Sequence, residues 1–139
     1  MSRPSPRARG VLAALALLAA FPACQVRDLP PDAAYRALVR AVADRDEAAA
    51  WELLSSATQA RLVARARTAA AAAPGVVSPE ARSLLAGDAA LSVLPPRAIT
   101  VLEAGADRAV LRVEAPAAET RDVVVVRERG GWRIDLPGQ

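Results

Sequence analysis

Arg121-Asp122-Val123-Val124-Val125-Val126-Arg127-Glu128-Arg129-Gly130-Gly131-Trp132-Arg133-Ile134-Asp135-Leu136 reads as two strands joined by a glycine turn. Val123–Val126 is apolar on both faces, the pattern of a central strand covered from both sides. Arg129-Gly130-Gly131 supplies the turn residues, and the next run alternates cleanly. Trp132, Ile134 and Leu136 share one side; Arg133 and Asp135 share the other, as a solvated surface pair. Pro137-Gly138 ends the run.

Working outward, the period of two extends back to Arg97. Ala98–Ala104 and Arg108–Ala115 are two further β-rich runs, joined by Gly105-Ala106-Asp107, a hairpin loop of ordinary length. In the second run Ala109, Leu111 and Val113 alternate with Val110, Arg112 and Glu114. Pro116–Thr120 links this hairpin to the valine strand.

Before Arg97 the period is helical. Asp32 is placed to cap a first helix whose Tyr35, Leu38, Val39 and Val42 form one apolar stripe, ending near Asp44-Arg45-Asp46. Asp46 caps a second helix, Glu47–Leu54, with Trp51, Leu54 and the alanines inward. Ser56 with Gln59 three residues on is a capping-box pattern for a third helix. That helix carries Leu62, Val63 and Ala66, runs into the alanine tract Ala69–Ala73 and ends before Pro74-Gly75. Ser78-Pro79-Glu80 starts a short fourth helix with Leu84 and Leu85 on its apolar side and Gly87 as terminator. Leu91, Val93 and Leu94 in the following connector are expected to pack under the sheet. Helices followed by an antiparallel meander define an α+β domain, with the helices on one face of a curved sheet of about four strands.

The N-terminal segment has a different character. Arg3, Arg7 and Arg9 precede an apolar run of about a dozen residues that closes in Phe21-Pro22-Ala23-Cys24. The run is too short to cross a bilayer as a helix, which takes about 20 apolar residues. It resembles a bacterial lipoprotein signal peptide: Ala23 and Cys24 match the last two positions of the lipobox, whereas Phe21 stands where Leu is usual and Pro22 departs from the pattern. Residues 1–23 are thus expected to be a signal peptide, residues 24–31 a proline-stiffened tether, and residues 32–139 a single domain. Cys24 is the expected lipidation site and the route to the membrane. Gln25 after it, where Asp would signal inner-membrane retention, favours the periplasmic face of the outer membrane. Secretion into the periplasm without an anchor is the alternative.

Composition narrows the chemistry. The chain has 139 residues, with a net charge of +3 carried by 18 basic residues, all of them arginine, against 15 acids. Arg3, Arg7 and Arg9 account for the whole excess, so the part after residue 23 is neutral, with its arginines interspersed among acids. That pattern offers no basic face for nucleic acid. There is no histidine, and Cys24 is the only cysteine, which excludes an internal disulfide. No metal-ligand cluster, phosphate loop or cofactor motif is visible. Aromatic residues make up only 3% of the chain, so Tyr35, Trp51 and Trp132 are needed as core anchors and are also the candidate pocket-lining residues.

Ala49-Ala50-Trp51-Glu52-Leu53-Leu54-Ser55 and Gly130-Gly131-Trp132-Arg133-Ile134 resemble segments of small bacterial lipoproteins of the nuclear transport factor 2 superfamily. The resemblance implies a cone, a curved sheet closed by helices, often around an apolar pocket. Its members include isomerases and dehydratases as well as non-enzymatic modules. Their enzymes use Asp, His or Tyr inside the cone; here the counterparts to weigh are Tyr35, on the core stripe, and Asp135. The favoured expectation is a lipid-anchored, non-enzymatic module with no catalytic residue, contacting another envelope protein or a small apolar ligand. The alternative is a small isomerase or dehydratase with an acidic residue in the cone.

Overall fold

Three α-helices and a 3-10 helix precede four strands in a computed structural model that describes residues 28–86 and 93–137. The helices are α1 (Pro31–Ala43), α2 (Glu47–Leu53) and α3 (Ser56–Ala72), and the 3-10 helix is Ala81–Ala86. The strands β1 (Ala98–Ala104), β2 (Arg108–Glu114), β3 (Thr120–Glu128) and β4 (Gly131–Asp135) form one open antiparallel sheet in the order β1-β2-β3-β4. The helices pack against this sheet, and the architecture is α+β, as the change of period predicts. Residues 1–27 with Cys24, and likewise Gly87, Leu91 and Gly138, lie outside the described residues.

Local chemistry accounts for the helix ends, with some shifts from the expected caps. α1 begins at Pro31 with Pro30 at the N-cap, so Asp32 is not the cap but an acid of the first turn. Proline has its φ preset and no N–H to leave orphaned, which suits that first position, and Asp32 favours the positive end of the helix dipole there. Arg45, at φ 57°, turns the chain out of α1. The Asp46 carboxylate accepts from the Ala49 N–H at 2.9 Å and caps α2 as expected.

α3 is capped by Ser55, one residue earlier than expected, its hydroxyl accepting from the Thr58 N–H at 3.1 Å. Gln59 does not close a capping box; its amide donates to the Trp51 carbonyl at 2.7 Å and ties α3 to the end of α2. The alanine tract continues α3 to Ala72. The short fourth helix is 3-10 rather than α, and the Ser78 hydroxyl accepts from the Glu80 N–H before it starts.

One face of the sheet holds the core. Ala109, Leu111 and Val113 of β2, Val123 and Val125 of β3, and Trp132 and Ile134 of β4 are buried there against Tyr35 and Leu38 of α1 and Leu53 of α2. β3 is central in strand order but is covered on one face only. Val123 and Val125 are buried, whereas Val124 and Val126 are half-buried on the other face, beside Asp135 and Arg133 of β4. The four-valine run therefore reflects its inner position in the ladder and not two covered faces. Arg129 (φ 51°) and Gly130 (φ 74°) form the two-residue turn into β4, whose left-handed backbone matches the twist of the hairpin. β1 is an edge strand with a register shift between Val101 and Glu103, and Val101 and Leu102 are exposed there.

The inward face of α2 also differs from expectation. Ala50 and Leu53 point to the core, Trp51 is half-buried, and Leu54 has left the helix to form a parallel bridge with Ile134. The Ser55 N–H donates to the Ile134 carbonyl at 2.9 Å, so the α2–α3 junction runs along the open edge of β4. That junction covers what a solvated outer face of β4 would have exposed. Trp132 is buried among large apolar side chains in a core with few of them. Trp132→Ala should therefore cost about 3–5 kcal/mol. The loss should appear as a lower urea midpoint at unchanged m, and an unchanged midpoint would contradict its place in the core.

Candidate functional site

The densest polar constellation among the described residues lies where the start of α3 meets the end of β4. Ser55, Thr58 and Arg61 recur at a spacing of three along one side of α3, and all three reach Asp135. The hydroxyls of Ser55 and Thr58 donate to Asp135 Oδ1 at 3.0 Å each, and the Arg61 guanidinium donates to the same oxygen at 2.7 Å. Thr58 Oγ1 in turn accepts from the Leu136 N–H at 2.9 Å and from Arg61 at 3.0 Å. Arg61 also donates to the Leu136 carbonyl. All three donors converge on Oδ1, and the ionised carboxylate, which is acceptor-only, is the form they favour.

The electrostatics agree. Burial alone would raise the Asp135 pKa, but the hydrogen bonds from Arg61, Ser55 and Thr58 outweigh it and hold the carboxyl below its ordinary value. Glu128, on the same side of the junction, behaves likewise. Burial opposes its charge, yet the Ser56 N–H and hydroxyl, at 2.9 and 2.7 Å, pull its pKa down. Glu128 thus occupies the N-terminus of α3 as an internal anion. Both carboxylates are acceptors that fasten the hairpin to α3, and neither is tuned to exchange a proton near neutral pH.

Arg133 and Asp135 are accordingly not the solvated pair that strand alternation suggests. Arg133 is only 4% exposed; its Nη1 donates to the Trp132 carbonyl at 3.1 Å and its Nε has no partner. Burial, with Arg129 nearby, lowers its pKa from the ordinary guanidinium value. Its tip lies over Gly131, where an added Cβ would sit 2.8 Å from Nη1. The α2–α3 junction is the physical reason for both departures, because it closes over an edge strand that sequence alone leaves open.

Tyr35, Trp51 and Trp132 all enter or border the hydrophobic core cluster. Tyr35 is 1% exposed, and its hydroxyl donates to the Leu94 carbonyl at 3.1 Å, tying α1 to the segment before β1. Burial raises its pKa, against the lowering effect of that carbonyl and of Arg121, so it remains a neutral phenol engaged in one bond. Arg82 lies over the Trp51 ring at 5.8 Å and Arg127 over the Trp132 ring at 5.7 Å, both within cation–π range. Arg127 also pairs with Asp28, which fastens the chain just before α1 to β3. Val93 and Leu94 pack against the core as expected.

Among the described residues no group of three or more acids, histidines or cysteines is placed to hold a metal ion. The Ser55–Thr58–Arg61–Asp135 network escapes sequence reasoning. The spacing along α3 was visible, but nothing in it named the end of β4 as the partner. No family model, no curated protein and no solved structure matches the chain.

Asp135→Ala removes a charged acceptor from three donors and should cost about 2–3 kcal/mol. The pH dependence follows from the direction of the shifts. Asp135 and Glu128 have folded pKa values below their unfolded ones. Their stabilisation is therefore present above the unfolded carboxylate values of about 4 and is lost as pH falls through the folded values. Urea midpoints measured from pH 7 downward should decline below about pH 4. Asp135→Asn should shallow that decline, and an identical acid limb in the variant would refute the assignment.

Proposed function

We propose that the protein is a lipid-anchored component of a bacterial cell envelope, exported by residues 1–23, acylated at Cys24 and acting through its α+β domain as a non-enzymatic binding module. The observation that carries this reading is the position of Cys24. The only cysteine of the chain stands directly after Ala23, at the end of a basic-then-apolar leader too short to span a bilayer. Acyl chains at about 0.8 kcal/mol per buried CH₂ would make the attachment lasting. Gln25 supports the outer membrane as destination. No helix among the described residues is long and apolar enough to cross a membrane.

A binding role is supported by where the polar groups of the domain are engaged. Tyr35 and Asp135, the two residues with the best claim to chemistry, are held in structural bonds to Leu94 and to α3. Leu38, Leu54, Leu111, Val123 and Ile134 are fully buried between helices and sheet. The likeness of Ala49–Ser55 and Gly130–Ile134 to the nuclear transport factor 2 superfamily agrees with such a role, since that superfamily includes many non-enzymatic modules. The partner would be another envelope protein or a small apolar ligand, met on the outer face or edge of the sheet.

The test is metabolic labelling in a bacterial host. Labelled palmitate should enter the wild-type protein and be absent from Cys24→Ala, and mass spectrometry should place the acyl groups on an N-terminal Cys24. An unlabelled wild-type protein would refute the anchor.

A further inference from the structure

We propose that the groove between α1 and the segment before β1 binds the phosphate of an anionic phospholipid. The groove has a volume of about 390 Å³ and is lined by Arg36, Val39, Arg40 and Pro96. Arg36 and Arg40 are one turn apart on the exposed side of α1, and Val39 and Pro96 are half-buried beside them. The site therefore offers two cations and an apolar surface within one concavity. That combination fits a phosphodiester carrying glycerol and chain, and a small, fully hydrated anion has no use for the apolar part.

Exposed arginines on a helix are ordinarily just solvated, and two observations bear on this pair. Arg61, Arg108, Arg112, Arg121 and Arg127 each hold a carboxylate within 4.0 Å or less. Among the described residues Arg36 and Arg40, like Arg45, Arg65, Arg67 and Arg97, have no carboxylate, carbonyl or aromatic partner, and Arg36 and Arg40 line one groove together, although like charges four apart on a helix repel each other. An added anion would relieve that repulsion and accept from both guanidiniums, whose fork suits phosphate.

The second observation is position. Asp28 is fastened to Arg127, and the four residues from Cys24 to Asp28 can span at most about 14 Å. The seven from Cys24 to Pro31 span at most about 24 Å, and Arg36 and Arg40 lie roughly 8–14 Å further along α1. A lipid on Cys24 thus keeps the groove within reach of the headgroups. The choice of phospholipid over free phosphate rests on the anchoring reading; the cation pair itself does not.

The test is a thermal melt of the full chain in neutral detergent, with dihexanoylphosphatidylglycerol added below its micelle concentration. At saturation the midpoint should rise by about 3 °C or more. Dihexanoylphosphatidylcholine and inorganic phosphate should leave it unchanged. Arg36→Gln/Arg40→Gln should melt like wild type without lipid and lose the shift, and Arg36→Lys/Arg40→Lys should keep part of it. No shift with the glycerol lipid would overturn the proposal, as would an equal shift in the glutamine variant. An equal shift with inorganic phosphate would replace the lipid by a free anion, and one with the choline lipid would remove the role of charge. Should the glutamine variant fail to fold, the lysine variant and the three ligands on wild type still decide. The melt does not depend on the anchor, so its failure and a failure of Cys24 acylation are read separately.

Discussion

The hydrogen bond from the Ser55 N–H to the Ile134 carbonyl, 2.9 Å long, is the constraint on which the rest of the domain depends. β4 is the last strand of an open sheet, and its free edge would otherwise present unpaired backbone groups to solvent. The bond and the Leu54–Ile134 bridge place the α2–α3 junction along that edge. Leu54 is thereby fully buried, and Ser55 is held where its hydroxyl both caps α3 and reaches Asp135. One backbone contact between residues seventy-nine positions apart therefore sets the end of α2, the start of α3 and the burial of Arg133.

The burial of Arg133 shows what the closure costs. A guanidinium with one backbone acceptor and an unpartnered Nε is an unfavourable resident of an interior. Glu52 and Glu128 favour its charge from a distance, and Arg129 opposes it. Its stem lies on the sheet face beside Val126, so the aliphatic part gains contact while the head loses water. Gly131 is part of the same arrangement, since the guanidinium tip takes the room that a side chain there would need. The matching glycine, arginine and covered edge form one unit, and none of the three makes sense without the other two.

Elements were legible in the sequence wherever the information is local. The strand bounds of β1, the inward set Ala109, Leu111 and Val113, the Asp46 cap and the alanine tract in α3 all follow from neighbours within a few residues. The start of α3 shifted by one because two adjacent serines were each able to cap, and Ser55 beat Ser56 once Ile134 had fixed its backbone; the N-cap of α1 lies two residues earlier than Asp32, because Pro31 suits the first helical position. The failures are long-range. Whether Val124 and Val126 are covered depends on which side the helices choose, and whether Asp135 is solvated depends on the junction that passes its edge. Neither fact is written in the periodicity of β3 or β4, which would be the same with the edge open. The polar site was illegible for the same reason, since its members are adjacent only after the last strand has docked.

The alanine-rich composition explains why that last strand carries such weight. Ala34, Ala41, Ala50 and Ala66 are buried at helix contacts, where a small side chain lets elements approach closely but removes little apolar surface from water. The large hydrophobic contributions must then come from a few residues, and Trp132 and Ile134 are both on β4, within eight positions of the end of the sequence. The N-terminal helices are not a core by themselves: the most buried residues of α1, Tyr35 and Leu38, pack into a cluster that includes the sheet. α3 packs Leu62 and Ala66 into the core and lies against the 3-10 helix, and its first turns are fastened to the end of β4 through Ser55, Thr58, Arg61 and their contacts with Asp135 and Leu136. Folding is therefore cooperative in a specific sense. The helices gain their stability from tertiary contact with one another, with the 3-10 helix and with the sheet, and β4 fastens the start of α3 into that assembly.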